Sequence, residues 1–140
     1  MSRFTPKEIE YLQSQRLARL ATIGANGDLH VVPLAFRYNP EFDTIYIGGH
    51  NFTGSKKYRD ALRYGRVALV VDDVLPPWRP RLVEVRGTVE AFDEGGKDIN
   101  AGFVPGMLRI TPTYIVSIGI NDAVVMPGQG QVNYHGRKVR

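Results

Sequence analysis

The chain of 140 residues and 15.7 kDa is 43% hydrophobic and 23% charged, carries a net charge of +4 and has no cysteine. This suits one domain with a substantial core and excludes disorder throughout, disulfide scaffolds, thiolate nucleophiles and zinc knuckles. No run reaches the roughly 18 apolar residues of a membrane span, and MSRFTPKEIE lacks the apolar stretch of a secretory signal, so a cytoplasmic protein with no membrane partner is expected.

Thr5 as N-cap, Pro6 at the first helical position and Glu8 three residues after the cap form a T-x-x-E capping box. Ile9 and Leu12 supply a short apolar stripe, and this first helix is expected to fade near Gln15. Strands follow. RLARLATIG turns through ANGD, where Asn26-Gly27 is a hairpin signal, into LHVVPLAFRY. Pro33, inside that strand, has no N–H for a ladder, which predicts an edge or a bulge. NPEFD turns the chain into TIYIGGH, whose two glycines admit a close neighbour.

A second helix starting near Ser55 places Tyr58, Ala61 and Leu62 on one face. Lys56, Arg59 and Arg63 fall on the opposite, water-facing side, with Lys57 on the border. VALVVDD, apolar on both faces, reads as a central strand. VLPPWRPR reads as a proline-locked loop holding the single tryptophan, Trp78. LVEVRGTVEAF alternates, with Val83, Val85, Val89 and Ala91 inward. DEGGKDINAGFVPGM reads as a loop and LRITPTYIVSIGI as the last strand. Residues 1–120 form the folded domain, and residues 121–140 read as a tail, mobile or in contact with a partner. About six strands with hairpin-type connections and no strand–helix–strand alternation predict a mainly β protein with short helices, closed as a six-stranded antiparallel barrel.

FTGSKKYR carries the strongest local signal. A helix start bears roughly half a positive charge, so lysines are out of place there unless an anion joins them. Thr53 and Ser55 hydroxyls, the flexible Gly54, free helical N–H groups and Lys57 would together hold a phosphate. A solvated basic helix capped by Ser or Thr explains the same residues. The P-loop pattern is absent. Lys56, Lys57, Arg59, Arg63 and Arg66 form one compact patch, and Arg137, Lys138 and Arg140 sit near the C-terminus. That distribution suits a small phosphorylated ligand at least as well as a polynucleotide, and the lack of exposed strand aromatics puts nucleic acid last.

His30, His50 and His135 lack metal-ligand spacing, so no metal site is expected. His30 reads as a packed or surface residue, whereas His50, beside the phosphate loop, is a candidate to line a site. Asp72 and Asp73 are strand neighbours pointing to opposite faces, which suits a turn or a salt bridge rather than paired acid–base work. Trp78, among prolines and beside Arg79, offers a stacking surface for a planar ligand or an anchor for a dimer. No activated nucleophile is visible, so a bound cofactor must supply the reactivity of any enzyme built here.

Taken in order, RLARLATIGANGDLHVVPLAFRYNPEFDTIYIGG, SKKYRDAL, RVALVVDD, PWRPR, VEVRGTVEAF and RITPTYIVSIGI resemble the split β-barrel flavin and deazaflavin oxidoreductases of the pyridoxamine 5′-phosphate oxidase-like superfamily. Within it, the chain is most similar to the F420-dependent branch that includes a reductase of tetracycline biosynthesis. The resemblance spans residues 4–120 and implies an FMN-binding type of split barrel, F420 as cofactor with FMN as the alternative, and a homodimer with its cofactor sites at the interface. The implied reaction passes a hydride from reduced F420 to an electron-poor double bond of a planar small-molecule substrate. A flavin oxidase or reductase, or a non-catalytic flavin-binding protein, shares the same fold.

By position, the resemblance implies that Val32, Pro33 and Leu34 run beside the ring. Ser55 and Lys57 would hold the phosphate, with His50, Asn51, Thr53 and Lys56 nearby. Trp78 and Arg79 would come from the second subunit. The proton donor stays open between His50, Tyr38 and solvent. Arg59, Arg63 and the C-terminal basic residues would suit the acidic tail of F420. GKDINAGFVPGM and the residues after Ile120 depart from the family's pattern, which leaves the substrate open.

Overall fold

A computed structural model of the chain describes residues 2–121 and 134–140. Helix α1 (Pro6–Ser14) is closed by the capping box: Thr5 Oγ1 accepts from the Glu8 N–H at 3.1 Å and Glu8 Oε1 from the Thr5 N–H at 2.8 Å. The strands that follow are β1 (Leu17–Ile23), β2 (Leu29–Asn39), β3 (Thr44–Gly48), β4 (Arg66–Leu75), β5 (Arg79–Phe92), β6 (Met107–Ile118) and β7 (Tyr134–Lys138). Helix α2 (Lys56–Tyr64) lies between β3 and β4, and the single turn α3 (Gly96–Ile99) between β5 and β6.

The strands pair in the order β3-β2-β1-β4-β5-β6-β7, all antiparallel, and a further β3–β6 pairing closes the first six into a barrel. Closure matches Ile45 with Ile110 and Ile47 with Leu108, leaving neither strand with a bare edge there. Period-two alternation sends Leu20, Leu69, Val71, Val83, Val85 and Ile115 into one core, each at most 1% exposed. At Gly87 the β5–β6 register slips, and a Cβ there would collide with the Thr111 carbonyl, so only glycine admits this close approach. Past the slip the alternation weakens. Val89 is half-buried, and Ala91, expected inward, is exposed.

Two expectations change. The expected loop VLPPWRPR is mostly strand: β4 runs to Leu75 and β5 starts at Arg79, leaving a tip of three residues, Pro76, Pro77 and Trp78. Cross-strand pairs Asp73–Arg81 and Leu75–Arg79 carry the ribbon outward, and Asp73 binds Arg81 through two hydrogen bonds of 2.9 and 2.6 Å. The end of the expected tail is a strand: β7 pairs along β6 from Tyr114–Lys138 to Ile118–Tyr134. Residues 122–133 of that tail lie outside the described residues.

A buried ion pair pins β7. The Glu8 side chain is fully buried, and Arg137 meets its Oε1 at 2.6 Å and its Oε2 at 3.1 Å. Asn121 Nδ2 donates to Oε2 at 3.2 Å and to Ser117 Oγ at 2.9 Å. Burial pushes the Glu8 carboxyl up, but hydrogen bonds from Arg137 and the Thr5 N–H outweigh it and hold the group below its ordinary value. Among the described residues no helix is long and apolar enough to cross a membrane, and no cluster of three or more His, Asp or Glu could hold a metal ion.

Candidate functional site

Between β3 and α2 the chain makes a 3-10 turn at Phe52–Gly54. Ser55 then caps α2, its Oγ accepting from the Tyr58 N–H at 3.3 Å and donating to the Phe52 carbonyl at 2.6 Å. The cap therefore consumes the hydroxyl's proton. Lys56 and Lys57 sit in the first turn, whose N–H groups lack intrahelical partners, and Gly65, left-handed at φ 84°, ends the helix.

The two lysine side chains have different fates. Lys56 is exposed, as expected, and also pairs with Asp60 at 2.6 Å. Arg63 meets the same carboxylate at 2.8 Å and donates to the Ile23 carbonyl at 3.2 Å. Asp60 is 3% exposed, and its hydrogen bond from Lys56, followed by that from Arg63, holds its carboxyl below the ordinary range. This acid neutralises Lys56, and Arg63 ties α2 to the end of β1. Lys57 is half-buried with its Nζ 5.8 Å from the centre of the Phe52 ring. Among the described residues Lys57 has no carboxylate partner.

Lys56, Lys57 and Asp60 share a cavity of about 160 Å³ with Thr22 of β1 and His30 and Val32 of β2. Thr22 and His30 are cross-strand partners and so stand on one face. Next to the cavity β2 has an open edge, because its pairing with β3 begins only at Ala35–Gly48. Pro33 falls on that edge, as expected of a residue with no N–H to give. Leu34 is 7% exposed, with its side chain in the core. Only its backbone is therefore available along the edge. Ligand sites usually enclose about 300–1,000 Å³. At about 160 Å³ this cavity is smaller than that, and the open edge at Val32–Leu34 continues from it.

The remaining expected residues lie elsewhere. His50 is exposed, its Nδ1 3.0 Å from the Gly102 carbonyl and its ring edge-on to Phe103 at 5.0 Å. It ties down the segment after α3. Asn51 and Thr53 are exposed around the 3-10 turn and do not line the cavity. Tyr38 is buried toward the far end of β2, its hydroxyl donating to Asp43 at 2.7 Å. Burial first and that carboxylate second raise its pKa. Trp78, 67% exposed, tips the β4–β5 ribbon, and Arg79 Nε donates to the Pro76 carbonyl at 3.2 Å. Ala21 pairs with Ala68, so Thr22 stands level with the start of β4, whereas Trp78 follows its far end, roughly 25 Å away at the usual strand rise. One chain does not bring Trp78 and Arg79 to Lys57.

Three cavity residues escape sequence reasoning: Thr22, His30 and Asp60. Asp60 had a signal, since it lies four residues after Lys56 and three before Arg63. Thr22 and His30 had none, because α2 reaches them only through the tertiary fold.

A family model described as pyridoxamine 5′-phosphate oxidase matches residues 4–127. A 5a,11a-dehydrotetracycline/5a,11a-dehydrooxytetracycline reductase of Streptomyces rimosus subsp. rimosus is 43% identical over 119 residues, 84% of each chain. Among solved structures, a conserved hypothetical protein from Mycobacterium tuberculosis superposes with a TM-score of 0.66 at 18% identity, over 93% of this chain and 99% of that one. The FAD binding protein from Mycobacterium smegmatis gives 0.60 at 22% identity, over 81% and 93%. These two likenesses concern the fold. With a six-stranded closed barrel and a family match over nearly its whole length, the chain belongs to the pyridoxamine 5′-phosphate oxidase family.

Proposed function

We propose that this chain is an F420H2-dependent reductase acting on an electron-poor double bond of a planar organic substrate. The observation that carries the reading is Lys57, a half-buried cation with no carboxylate partner among the described residues, in a cavity with Thr22 and His30. An anion completes that arrangement, and F420 and FMN both carry a phosphate. The 43% identical relative is named as a reductase of dehydrotetracyclines, which favours an oxidoreductase and, in this proposal, a polycyclic substrate. The choice of F420 over FMN rests on that likeness.

Reduced F420, when bound, supplies a hydride to one carbon of the double bond, and a proton at the other completes the reduction. The chain's part is to hold the phosphate at Lys57, orient the ring along the open edge of β2 and keep water from the reacting face. Tyr38 and His50 are engaged with Asp43 and Gly102, so solvent is the proton source in this reading.

The proposal includes a homodimer. Leu29 and Val31 on β2 are 82% and 68% exposed. Beside them an apolar hollow of about 400 Å³ on the outside of the barrel is lined by Ala21, Ile23, Tyr64 and Ala68. A second copy on this face would cover the apolar surface and the open edge together, and would bring the second Trp78 toward the cofactor.

Anaerobic mixing of the full chain with F420H2 and a dehydrotetracycline tests the function. Oxidised F420 should appear in step with reduced product. Turnover with FMNH2 but not with F420H2 would move the chain to the flavin reading, and turnover with neither would overturn both.

A further inference from the structure

The cavity holds a group that the phosphate reading does not use. His30 lines it with Lys57, is half-buried, and its side chain makes no hydrogen bond or ion pair among the described residues. A half-buried imidazole with no partner beside an uncompensated cation wants an anion. We propose that His30 is the second ligand of the anion bound by Lys57, donating a ring N–H to a phosphate oxygen, so that the charge of the cavity follows the protonation of this one residue.

The groups facing His30 support this. From β1 comes Thr22, a neutral hydroxyl, and from its own strand the apolar Val32. From α2 come Lys56, Lys57 and Asp60, and Arg63 reaches Asp60 from outside the cavity. Asp60 is spoken for by Lys56 and Arg63 at 2.6 and 2.8 Å, so it is no competitor for the imidazole. The cavity lining thus carries one net positive charge while His30 is neutral and two when it is protonated. A phosphodiester monoanion, as in F420, matches the first state and gains a charge-assisted hydrogen bond in the second.

The inference builds on the anion site proposed above, and inorganic sulfate tests it without the cofactor. Sulfate keeps its charge across the range in which an imidazole titrates, and its binding can be followed by NMR shifts of Thr22 and Lys57 amides at constant ionic strength in chloride. Between about pH 8 and about pH 5.5, wild-type affinity should rise about tenfold, the effect of an anion that favours a neighbouring cation by one pH unit. His30→Gln should hold its pH 8 affinity throughout, and Lys57→Ala should lose binding at both values. A wild-type ratio near one, or the same tenfold rise in His30→Gln, would overturn the assignment; amide spectra confirm that each variant is folded. F420 provides the second arm. Failure of F420 to bind while the sulfate result holds would sink the cofactor reading and leave the anion site. F420 binding whose pH dependence survives in His30→Gln would sink the role of His30 alone.

Discussion

Lys57 and Lys56 are neighbours of identical chemistry, but among the described residues only Lys56 has a carboxylate partner, Asp60. Lys57→Ala removes the cation free to meet a phosphate. A hydrogen bond to a charged group contributes about 1.5–3 kcal/mol, so F420 affinity should fall roughly tenfold to hundredfold. Lys56→Ala removes a charge that Asp60 already neutralises at 2.6 Å, and Arg63 continues to hold the carboxylate at 2.8 Å. Cofactor affinity should then fall only about threefold, a loss within the usual worth of an exposed ion pair. The cost of this second variant appears in stability, because the buried Asp60 loses one of its two partners within α2. Fluorescence titration with F420, with thermal melts of both variants, measures the two effects separately. Equal losses of affinity would refute the division of labour between the lysines.

Trp78→Ala should leave the melting of the isolated chain nearly unchanged, because the ring is 67% exposed and exposed substitutions usually stay within about 0.5 kcal/mol; sedimentation and F420 titration should nonetheless show weaker dimerisation or cofactor binding. Arg137→Ala should destabilise the fold by about 3 kcal/mol, near the low end for breaking a buried pair, because the Thr5 N–H and Asn121 still serve Glu8; urea unfolding reads this directly. Trimming the chain after Ile120, harmless if residues 121–140 were only a tail, should destabilise at least as much, since it removes β7 and Asn121 as well as Arg137. Glu8, Asp43 and Asp73 all titrate below the ordinary carboxylate value when folded, so the unfolded chain binds more protons in acid. Their contribution is present in full above the unfolded carboxylate pKa and is lost as pH falls through the folded values; Glu8→Gln should show a shallower loss of stability below about pH 4.5 in acid unfolding.

The barrel was readable because its signals are local. The T-x-x-E box fixes where α1 starts, Asn26-Gly27 marks the first hairpin, and period-two alternation identifies core-facing residues such as Val83 and Val85. Its errors arose where distant pairing decides. YHGRK has no apolar alternation and becomes a strand because β6 offers an edge and Glu8 offers Arg137 a buried partner. Gly87 looks like any strand glycine until Thr111 approaches it. The candidate site divides in the same way. Lys57 stood out because a lysine opens a helix, whereas His30 looked ordinary, since its place in the cavity depends on how α2 packs on the sheet. Trp78 announced itself by composition, yet within the chain it tips the β4–β5 ribbon, away from Lys57.

Parallel equilibrium titrations of the full chain with F420 and FMN test the central claim most directly. Micromolar or tighter binding of F420 is expected, with weaker binding of FMN and loss of F420 affinity in Lys57→Ala. Tighter binding of FMN than F420, or F420 binding that ignores the loss of Lys57, would contradict it.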